Sequence, residues 1–432
     1  MAQKWNISDR RVRILCKEGR IGGVIYKNGQ YLIPENADKP SDNRFKKSVV
    51  YEVSDNEILM VKESSTFLKW GNDIIGRINN DRSVDFVFPL YNETVSIYTK
   101  GRHYWSSEEF ADFLSGRIVS NQRRDIESLL YRMGLSSYSV FDVAFKTRAI
   151  NSCDLLWIAF DENERMEDVV TDVFSSVFSK NLDLKGDSVD TPEGANIKRY
   201  GVYNGRYGIY KRRLNHLAKD VESEIAVYKL ACLLGVPCCP VFRTGEDEIF
   251  SQFMYKVPEE QIVHFRRFFE SDVDKLSSPG VLIRSANEYH NLIAARPQYQ
   301  AQIIKMIALD FITRQDDRHL SNIAVKISSS GEEFYPLYDN GRSLFYEDTE
   351  DTVEKAVSDI KSFASSFGPA GTYYDHIEEI KSLGVDFNKL LDLDVDEASI
   401  KDILVTSGFT GYRLDGALEW IMKTIEFLSL DI

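Results

Sequence analysis

Two carboxylates and an amide in the C-terminal half of the chain have the residue types that phosphoryl transfer needs. Asp317 and Asn322 stand five positions apart, and Asp339 follows a predicted hairpin. A carboxylate at Asp317 can accept the proton of an acceptor hydroxyl, and Asn322 and Asp339 offer hard oxygen ligands for Mg²⁺. Taken alone each pattern is weak, because an Asp-x₄-Asn spacing is common and Asp-Asn-Gly at 339–341 is more often only a turn.

A lysine and a glutamate upstream belong to the same chemistry. A hairpin is predicted around Asn204-Gly205, and Lys211 lies at the end of its second strand. The amphipathic helix predicted to begin near Ala218 carries Glu224. A strand lysine paired with a helix glutamate holds the α- and β-phosphates in kinases. For this pair alone, two unrelated surface charges remain the simpler explanation.

A glycine-containing loop precedes that hairpin and is a weak candidate for phosphate binding. Its candidate residues are Gly194, Ala195, Asn196 and Lys198. Such residues occur in most loops, so the loop does not identify a function by itself. The ordered set of loop, lysine, helix glutamate, Asp-x₄-Asn, hairpin and aspartate is what favours a phosphotransferase.

Composition limits the class of protein. The 432 residues are 43% hydrophobic and 28% charged, which is typical of a globular chain of several domains. No apolar run approaches the roughly 18–20 residues that span a bilayer, and no secretory signal is evident. Five scattered cysteines without a Cys-x-x-Cys exclude a disulfide framework and a cysteine-based zinc site. We therefore expect a cytoplasmic protein with no membrane partner.

The N-terminal segment differs from the rest in charge. The net charge is −14 overall, but residues 1–50 carry +6. A short helix is predicted over 8–19, followed by a hairpin at Asn28-Gly29. The segment resembles the winged helix-turn-helix of the excisionase/MerR type over about 40 residues, which implies DNA contacts from the helix. Those contacts would be Arg10, Arg11, Arg13 and Lys17. The alternative is a basic, solvated helix that binds another protein or nothing.

The middle of the chain, residues 49–183, carries few chemical signals and is interpreted as a connecting domain with its own core. Long alternating strand patterns are absent, although a short strand is predicted over 84–89. Ser106-x-x-Glu109 predicts the start of a helix. A second helix is predicted to end at Gly134.

The chain from about residue 185 to 432 resembles a HipA-like serine/threonine kinase, within the protein kinase and phosphatidylinositol-kinase-like superfamily. The residues that carry the resemblance are Thr191, Gly194, Ala195, Asn196, Lys198, Lys211, Glu224, Leu230, Ala231, Leu234, Gly235, Asp317, Arg318, His319, Asn322 and 337–344. The middle segment is similar to the connecting region of HipA-like chains. This chain departs from the family in having Gln315, where Asn is usual, and Thr191, where Ser is more usual.

The resemblance implies an α+β, two-lobed kinase fold with a mostly helical C-terminal lobe, preceded by the helix-turn-helix and the connecting domain. The implied boundaries are 1–48, 49–183, 184–258 and 259–432. It implies ATP and Mg²⁺ as cofactors, with Asp317, Lys211 and Glu224 catalytic, His319 among the cofactor-binding residues, and Asn322 and Asp339 as metal ligands. It also implies a protein Ser/Thr substrate and autophosphorylation at Thr191, with Ser188 as the alternative.

The family often acts as the toxin of toxin–antitoxin systems, so an antitoxin protein is an expected partner. Two other functions remain open at this point. One is a transcription regulator whose kinase-like fold only senses a nucleotide. The other is a lipid or small-molecule phosphotransferase, which the absence of a basic amphipathic membrane helix disfavours.

Overall fold

The structure is a computed structural model, and it describes most of the chain from residue 66 onward. The described residues are 4, 12, 25–27, 30–34, 66–87, 93–121, 126–166, 168–169, 198–256, 259–273, 289–367 and 371–430. The chain divides into two compact units, Met1–Lys62 and Glu63–Ile432.

The first unit contains a small antiparallel hairpin, formed by strands β1 (Ile25–Lys27) and β2 (Gln30–Leu32). These strands flank Asn28-Gly29, so the predicted hairpin is confirmed. Val12, within the predicted basic helix, is helical and buried. The candidate DNA contacts lie outside the described residues, and they are Arg10, Arg11, Arg13 and Lys17.

A five-stranded antiparallel sheet forms the centre of the connecting region, in the strand order β6-β5-β4-β3-β7. The strands are β3 (Thr66–Trp70), β4 (Asp73–Ile78), β5 (Val84–Phe86), β6 (Tyr104–Trp105) and β7 (Leu156–Ala159). The sequence predicted only β5. It missed β3 and β7 because nearly every residue of these two strands is buried, so they show no alternation of apolar and polar residues.

Four helices belong to this region: α1 (Glu93–Thr99), α2 (Ser107–Ser115), α3 (Ile126–Arg132) and α4 (Val140–Lys146). The predicted capping box at the start of α2 is confirmed. The Ser106 hydroxyl accepts from the N–H of Glu109 at 3.2 Å, and the Glu109 carboxylate accepts from the N–H of Ser106 at 2.7 Å. Each contact satisfies an N–H that the helix start leaves without a partner.

A second, four-stranded antiparallel sheet carries the residues around Lys211, in the order β10-β11-β9-β8. Its strands are β8 (Lys198–Tyr203), β9 (Arg206–Arg212), β10 (Val241–Arg243) and β11 (Glu248–Gln252). The β8–β9 hairpin was predicted and is confirmed. Asn204 and Gly205 have φ angles of 50° and 75°, as a type I′ turn requires. The register of this hairpin places Lys198 directly opposite Lys211.

Helix α5 (Asp220–Leu233) follows this sheet and was expected to be amphipathic. The structure corrects that expectation, because α5 is buried on most of its surface, including Glu224 at 3% exposure. Cys232, which belongs to the predicted apolar stripe, is exposed instead. The helix contacts both β10 and the helix Glu397–Ser407. It is therefore buried on more than one side, and not along a single apolar stripe.

The C-terminal part is mostly helical, as expected. Its helices are α6 (Arg266–Val273), α7 (Tyr289–Ala295), α8 (Gln300–Ile312), α9 (Glu350–Ser358), α10 (Tyr373–Ser382), α11 (Phe387–Leu390), α12 (Glu397–Ser407) and α13 (Gly411–Ser429), with 3₁₀ turns at Pro297–Tyr299 and Ile360–Ser362. The core of this part surrounds α8, which buries Ile303, Met306, Ile307 and Phe311. None of the described helices has the length and apolar character needed to cross a membrane.

A three-stranded antiparallel sheet lies between the helices, formed by β12 (Glu260–His264), β13 (Ala324–Ser328) and β14 (Gly331–Phe334). The return strand was predicted over 334–338, and this prediction is wrong. The strand ends at Phe334, and the N–H of Tyr335 makes one further hydrogen bond to the C=O of Ala324 at 3.0 Å. Leu337 then forms a parallel bridge with Cys238, and this bridge leads the chain into Asp339.

Candidate active site

Lys211 lies at the centre of the candidate site, between two carboxylates. Its ammonium group donates to Oε1 of Glu224 and lies 3.0 Å from Oδ1 of Asp339. Strand β9 supplies the lysine and helix α5 the glutamate. From the sequence, two unrelated surface charges were the simpler explanation for Lys211 and Glu224 taken alone, but the structure places the two side chains in contact.

A second lysine contacts the same aspartate. Nζ of Lys198 is 3.2 Å from Oδ2 of Asp339, so each carboxylate oxygen has its own ammonium partner. The antiparallel register brings Lys198 and Lys211 side by side. The sequence assigned Lys198 to the phosphate-binding loop, and the structure places it on β8.

The charges of this cluster stabilise one another. Burial alone would raise the pKa of Asp339, but the ammonium groups of Lys198 and Lys211 outweigh burial and lower the pKa well below its usual value. Burial likewise opposes the charge on Lys211, and the neighbouring Asp339 and Glu224 raise the pKa of Lys211 in spite of it. Lys211 and Asp339 are therefore both ionised at neutral pH.

Asp339 has an uncommon backbone conformation, with φ at 59°. A non-glycine residue in this left-handed region needs support from its surroundings. Arg318 supplies it on both sides: its Nη1 donates to the C=O of Tyr338 at 2.9 Å, and its Nη2 donates to Oδ1 of Asn340 at 2.7 Å. Nε2 of Gln315 donates to the C=O of Asp339 itself at 3.3 Å.

Arg318 is fully buried and is paired with Asp310 near the end of α8, at 2.8 Å between Nη2 and Oδ1. Burial raises the pKa of Asp310, although the guanidinium of Arg318 opposes this effect. The pair anchors the loop that carries Asp317 to helix α8. Arg318 thus has a structural role, because it holds the loop in place.

The loop that carries Asp317 is closed by amide groups. Nδ2 of Asn322 donates to the C=O of Asp317 at 3.1 Å, and Oε1 of Gln315 accepts from the N–H of Asp317 at 3.0 Å. The five-residue spacing between Asp317 and Asn322 therefore has a structural basis, since it closes the loop. The carboxylate of Asp317 is 39% exposed and lies at the edge of the site.

Two charged neighbours of Asp317 were not identified from the sequence. Arg342 lies 3.5 Å from the carboxylate of Asp317 and 3.3 Å from that of Asp316. Burial raises the pKa of Asp316 to about 6; Asp317 adds to this shift and Arg342 opposes it. Residue type gave no signal here, because the Arg342 contact depends on how the 339–343 turn folds back on the loop.

A cavity of about 310 Å³ is lined by several of these residues, although Asp317 and Glu224 are not among them. It is lined by Lys198, Lys211, His319, Asn322 and Asp339, together with aromatic and aliphatic side chains. Gly116, Ser120 and the segment 151–153 of the connecting region also line it, which sequence reasoning missed. The backbone N–H of Ile262 donates to the C=O of Cys153 at 2.9 Å and holds that segment against β12.

The donor atoms in this cavity fit a divalent cation. Asn322 uses its Nδ2 toward Asp317, which leaves Oδ1 as the acceptor. Asp339 adds an ionised carboxylate. The described residues contain no group of three or more His, Cys, Asp or Glu side chains arranged to hold a metal. Two protein oxygens suit Mg²⁺, which usually keeps several waters and binds substrate phosphates, better than a closed zinc site.

Several predicted site residues lie outside the described part of the chain. They are Gly194, Ala195 and Asn196 of the glycine loop, and the candidate autophosphorylation sites Thr191 and Ser188. His319 is described, and its Nδ1 accepts from the N–H of Ser321 at 3.3 Å. It lines the cavity, as expected of a cofactor-binding residue.

Comparisons with known proteins gave matches among solved structures. No protein-family model matches the chain, and no curated protein does either. One structural match is a proinflammatory kinase, CtkA, from Helicobacter pylori, with a TM-score of 0.46 and 15% identity over 56% of this chain and 93% of that chain. Another is the HipA, HipB and operator DNA complex of a toxin–antitoxin system from Shewanella oneidensis MR-1. Its TM-score is also 0.46, with 15% identity over 84% of this chain and 99% of that chain.

Both matches have a TM-score below 0.5 and an identity of 15%, so neither carries an argument about this chain. A function therefore has to be argued from the contacts within the site.

Proposed function

We propose that this chain is an ATP- and Mg²⁺-dependent serine/threonine protein kinase of the HipA type. The contact of Lys211 with both Glu224 and Asp339 carries the proposal. Two unrelated surface charges would not be only 8% and 3% exposed, as Lys211 and Glu224 are, and in contact with a third charged residue 128 positions from the lysine. A buried charged cluster beside a cavity is typical of a functional site.

Each residue has a distinct role in the proposed reaction. Bound ATP with Mg²⁺ would supply the γ-phosphoryl group and neutralise the charge that develops on it. Lys211, oriented by Glu224, binds the nucleotide phosphates. Asn322 and Asp339 hold the metal, and the carboxylate of Asp317 accepts the proton of the acceptor hydroxyl.

Both oxygens of Asp339 accept from a lysine, Lys198 or Lys211. A metal held by Asp339 would need at least one of these oxygens, so we expect the two lysines to contact the nucleotide phosphates when ATP and Mg²⁺ are bound.

The regulatory part of the proposal rests on the sequence. A phosphate on Thr191, or alternatively on Ser188, would add about −1.5 to −2 charges beside the nucleotide phosphates and would inhibit the enzyme. The basic segment 1–48, if it binds DNA, would let the same chain repress its own promoter. From the resemblance to HipA-like kinases, we further propose that this chain is a toxin with an antitoxin partner.

The first experiment is to incubate the full chain with labelled ATP and Mg²⁺, with Asp317→Asn in parallel, and to map the products by intact and peptide mass. The proposal expects phosphate on the wild type alone, at Thr191 or Ser188 or on an added protein substrate. Equal incorporation in both proteins would show that Asp317 is not the base. Nucleotide binding without any transfer, even to candidate protein substrates, would instead favour a nucleotide-sensing transcription regulator.

DNA binding by the basic segment 1–48 needs a separate test. Promoter DNA is titrated with the full chain, with a chain lacking residues 1–48, and with a full-length variant in which Arg10, Arg11 and Arg13 are replaced by Ala. Loss of binding in both altered chains, and an affinity of the wild type that falls as salt rises, is expected for phosphate contacts. Unchanged DNA binding after the deletion would show that residues 1–48 do not bind the promoter.

A further inference from the structure

The side chain of Gln315 joins the two halves of the candidate site. Its Oε1 accepts from the N–H of Asp317 at 3.0 Å, and its Nε2 donates to the C=O of Asp339 at 3.3 Å. The residue is completely buried, with 0% exposure. One amide group thus contacts both Asp317, which would accept the proton, and Asp339, which would hold the metal.

Only one orientation of this amide is compatible with its partners. After a flip, the NH₂ group would face the N–H of Asp317 and the oxygen would face the C=O of Asp339, so that like groups would meet. A buried polar group without a partner has lost its hydrogen bonds to water without replacing them, which is unfavourable. The two partners therefore fix the orientation of Gln315, and Gln315 in turn fixes the separation of the two backbone segments.

The C=O of Asp339 depends on this donor. Strand β14 ends at Phe334, so Asp339 receives no hydrogen bond from the β-ladder. Its φ of 59° also means that the backbone is not extended at this residue. Arg318 supports Tyr338 and Asn340 on either side, while Gln315 contacts Asp339 itself.

We propose that Gln315 is a positioning residue that couples the placement of Asp317 to that of Asp339. The proposal rests on the proposed function, which gives these two aspartates their roles. An Asn at this position is shorter by one methylene, about 1.5 Å, and cannot keep both contacts without backbone movement. Proton acceptance and metal binding should therefore weaken together when the side chain is changed.

The test compares Gln315→Met, which is similar in length but makes neither hydrogen bond, with Gln315→Asn and with Gln261→Met. Gln261 is the matched control, because it is a buried glutamine on β12 with 9% exposure that lies outside the cavity lining. For each full-length protein, the initial rate of label transfer from ATP is measured as a function of Mg²⁺ concentration. Binding of a non-hydrolysable ATP analogue is measured with and without Mg²⁺.

For Gln315→Met we expect a maximal rate lower by about 10- to 100-fold, since displacing a catalytic group by about 1 Å has effects of this size. The half-saturating Mg²⁺ concentration should rise several-fold, while analogue binding without Mg²⁺ stays unchanged because Lys211 and Glu224 are untouched. Gln315→Asn should show the same two changes to a smaller extent. Gln261→Met should keep the wild-type rate and Mg²⁺ dependence per folded molecule.

The opposite results are equally clear. Gln315→Met could instead lower only the fraction of folded protein and keep the wild-type Mg²⁺ dependence and rate per folded molecule. In that case the residue is merely structural and the proposal is wrong. If only the rate or only the Mg²⁺ dependence changes, the coupling is absent. If the wild type binds the analogue in a Mg²⁺-dependent manner but transfers no phosphate, the proposed kinase function fails, and the shift in Mg²⁺-dependent binding still decides the role of Gln315.

Discussion

The ammonium group of Lys211 lies 3.0 Å from Oδ1 of Asp339, although the two residues are 128 positions apart in the chain. One belongs to a strand of the four-stranded sheet, and the other follows the three-stranded sheet near the C-terminal helices. This contact joins the four-stranded sheet to the segment that follows the three-stranded sheet. It also places the charges that would bind nucleotide phosphates beside those that would bind the metal.

Replacing Lys211 by Met should remove most of the nucleotide affinity. Glu224 would then be a buried carboxylate without its partner, and its Oε2 already has no hydrogen bond within the described structure. We expect the dissociation constant of an ATP analogue to rise by about 10- to 100-fold, by titration of a fluorescent analogue. Breaking a buried ion pair from one side typically costs about 3–5 kcal/mol, so the free energy of unfolding should fall as well.

Lys198→Met is the matched control for that experiment. It removes the other ammonium contact of Asp339 but leaves the Lys211–Glu224 pair intact. A smaller loss of affinity and of stability than in Lys211→Met is expected. Equal effects of the two substitutions would mean that Glu224 has no special role in orienting Lys211.

Asp317→Asn should lower the rate of phosphoryl transfer by about 10²- to 10⁴-fold, the usual contribution of a general base. The change keeps the size of the side chain and both backbone contacts of residue 317. Because Asp317 is 39% exposed and at the edge of the site, the melting temperature and analogue binding should stay near the wild-type values. A rate within about threefold of wild type would contradict the assigned role.

Arg318→Met should destabilise the protein strongly, because it leaves Asp310 buried without its partner. The expected loss is about 3–5 kcal/mol in the free energy of unfolding, measured by urea denaturation. The double variant Arg318→Met with Asp310→Leu should recover much of that stability, since no unpaired charge remains. It should not recover phosphoryl transfer, because the support for Tyr338 and Asn340 is still missing.

Asp220→Asn should stabilise the protein at neutral pH. Burial raises the pKa of Asp220 to about 6, and its Oδ1 has no hydrogen-bond partner among the described residues. A group whose pKa is raised on folding contributes stability below its unfolded pKa, near 4, and loses this contribution as the pH rises through about 6. The gain in Asp220→Asn should therefore reach at most about 3 kcal/mol at pH 7.5 and shrink toward pH 5.

Glu222→Gln tests the same argument with the opposite sign. Glu222 forms a double contact with Arg213, at 2.6 and 2.9 Å. Although burial opposes it, this contact lowers the pKa of Glu222 below its usual value. Its substitution should reduce the melting temperature at pH 7.5. If both variants shift stability in the same direction at that pH, burial and pairing do not control these two carboxylates as described.

The sequence by itself determined several residues of the candidate site and some of the local elements that carry them. The β8–β9 hairpin followed from Asn204-Gly205, because a type I′ turn needs two residues that tolerate positive φ. The capping box of α2 could also be predicted, because it depends on two residues only three positions apart. The pairing of Lys211 with Glu224 could be predicted because residue type and element order agree with one chemistry.

Only the tertiary structure decided how those residues meet. The all-round burial of α5 and the fully buried strands β3 and β7 depend on what packs against them, so local periodicity did not reveal them. The early end of β14 brings Asp339 into the site by a bridge to Cys238, a contact between distant segments. The Gln315 link from Asp317 to Asp339 arises in the same way. Its amide gives no sequence signal for two backbone partners that only the folded chain brings together.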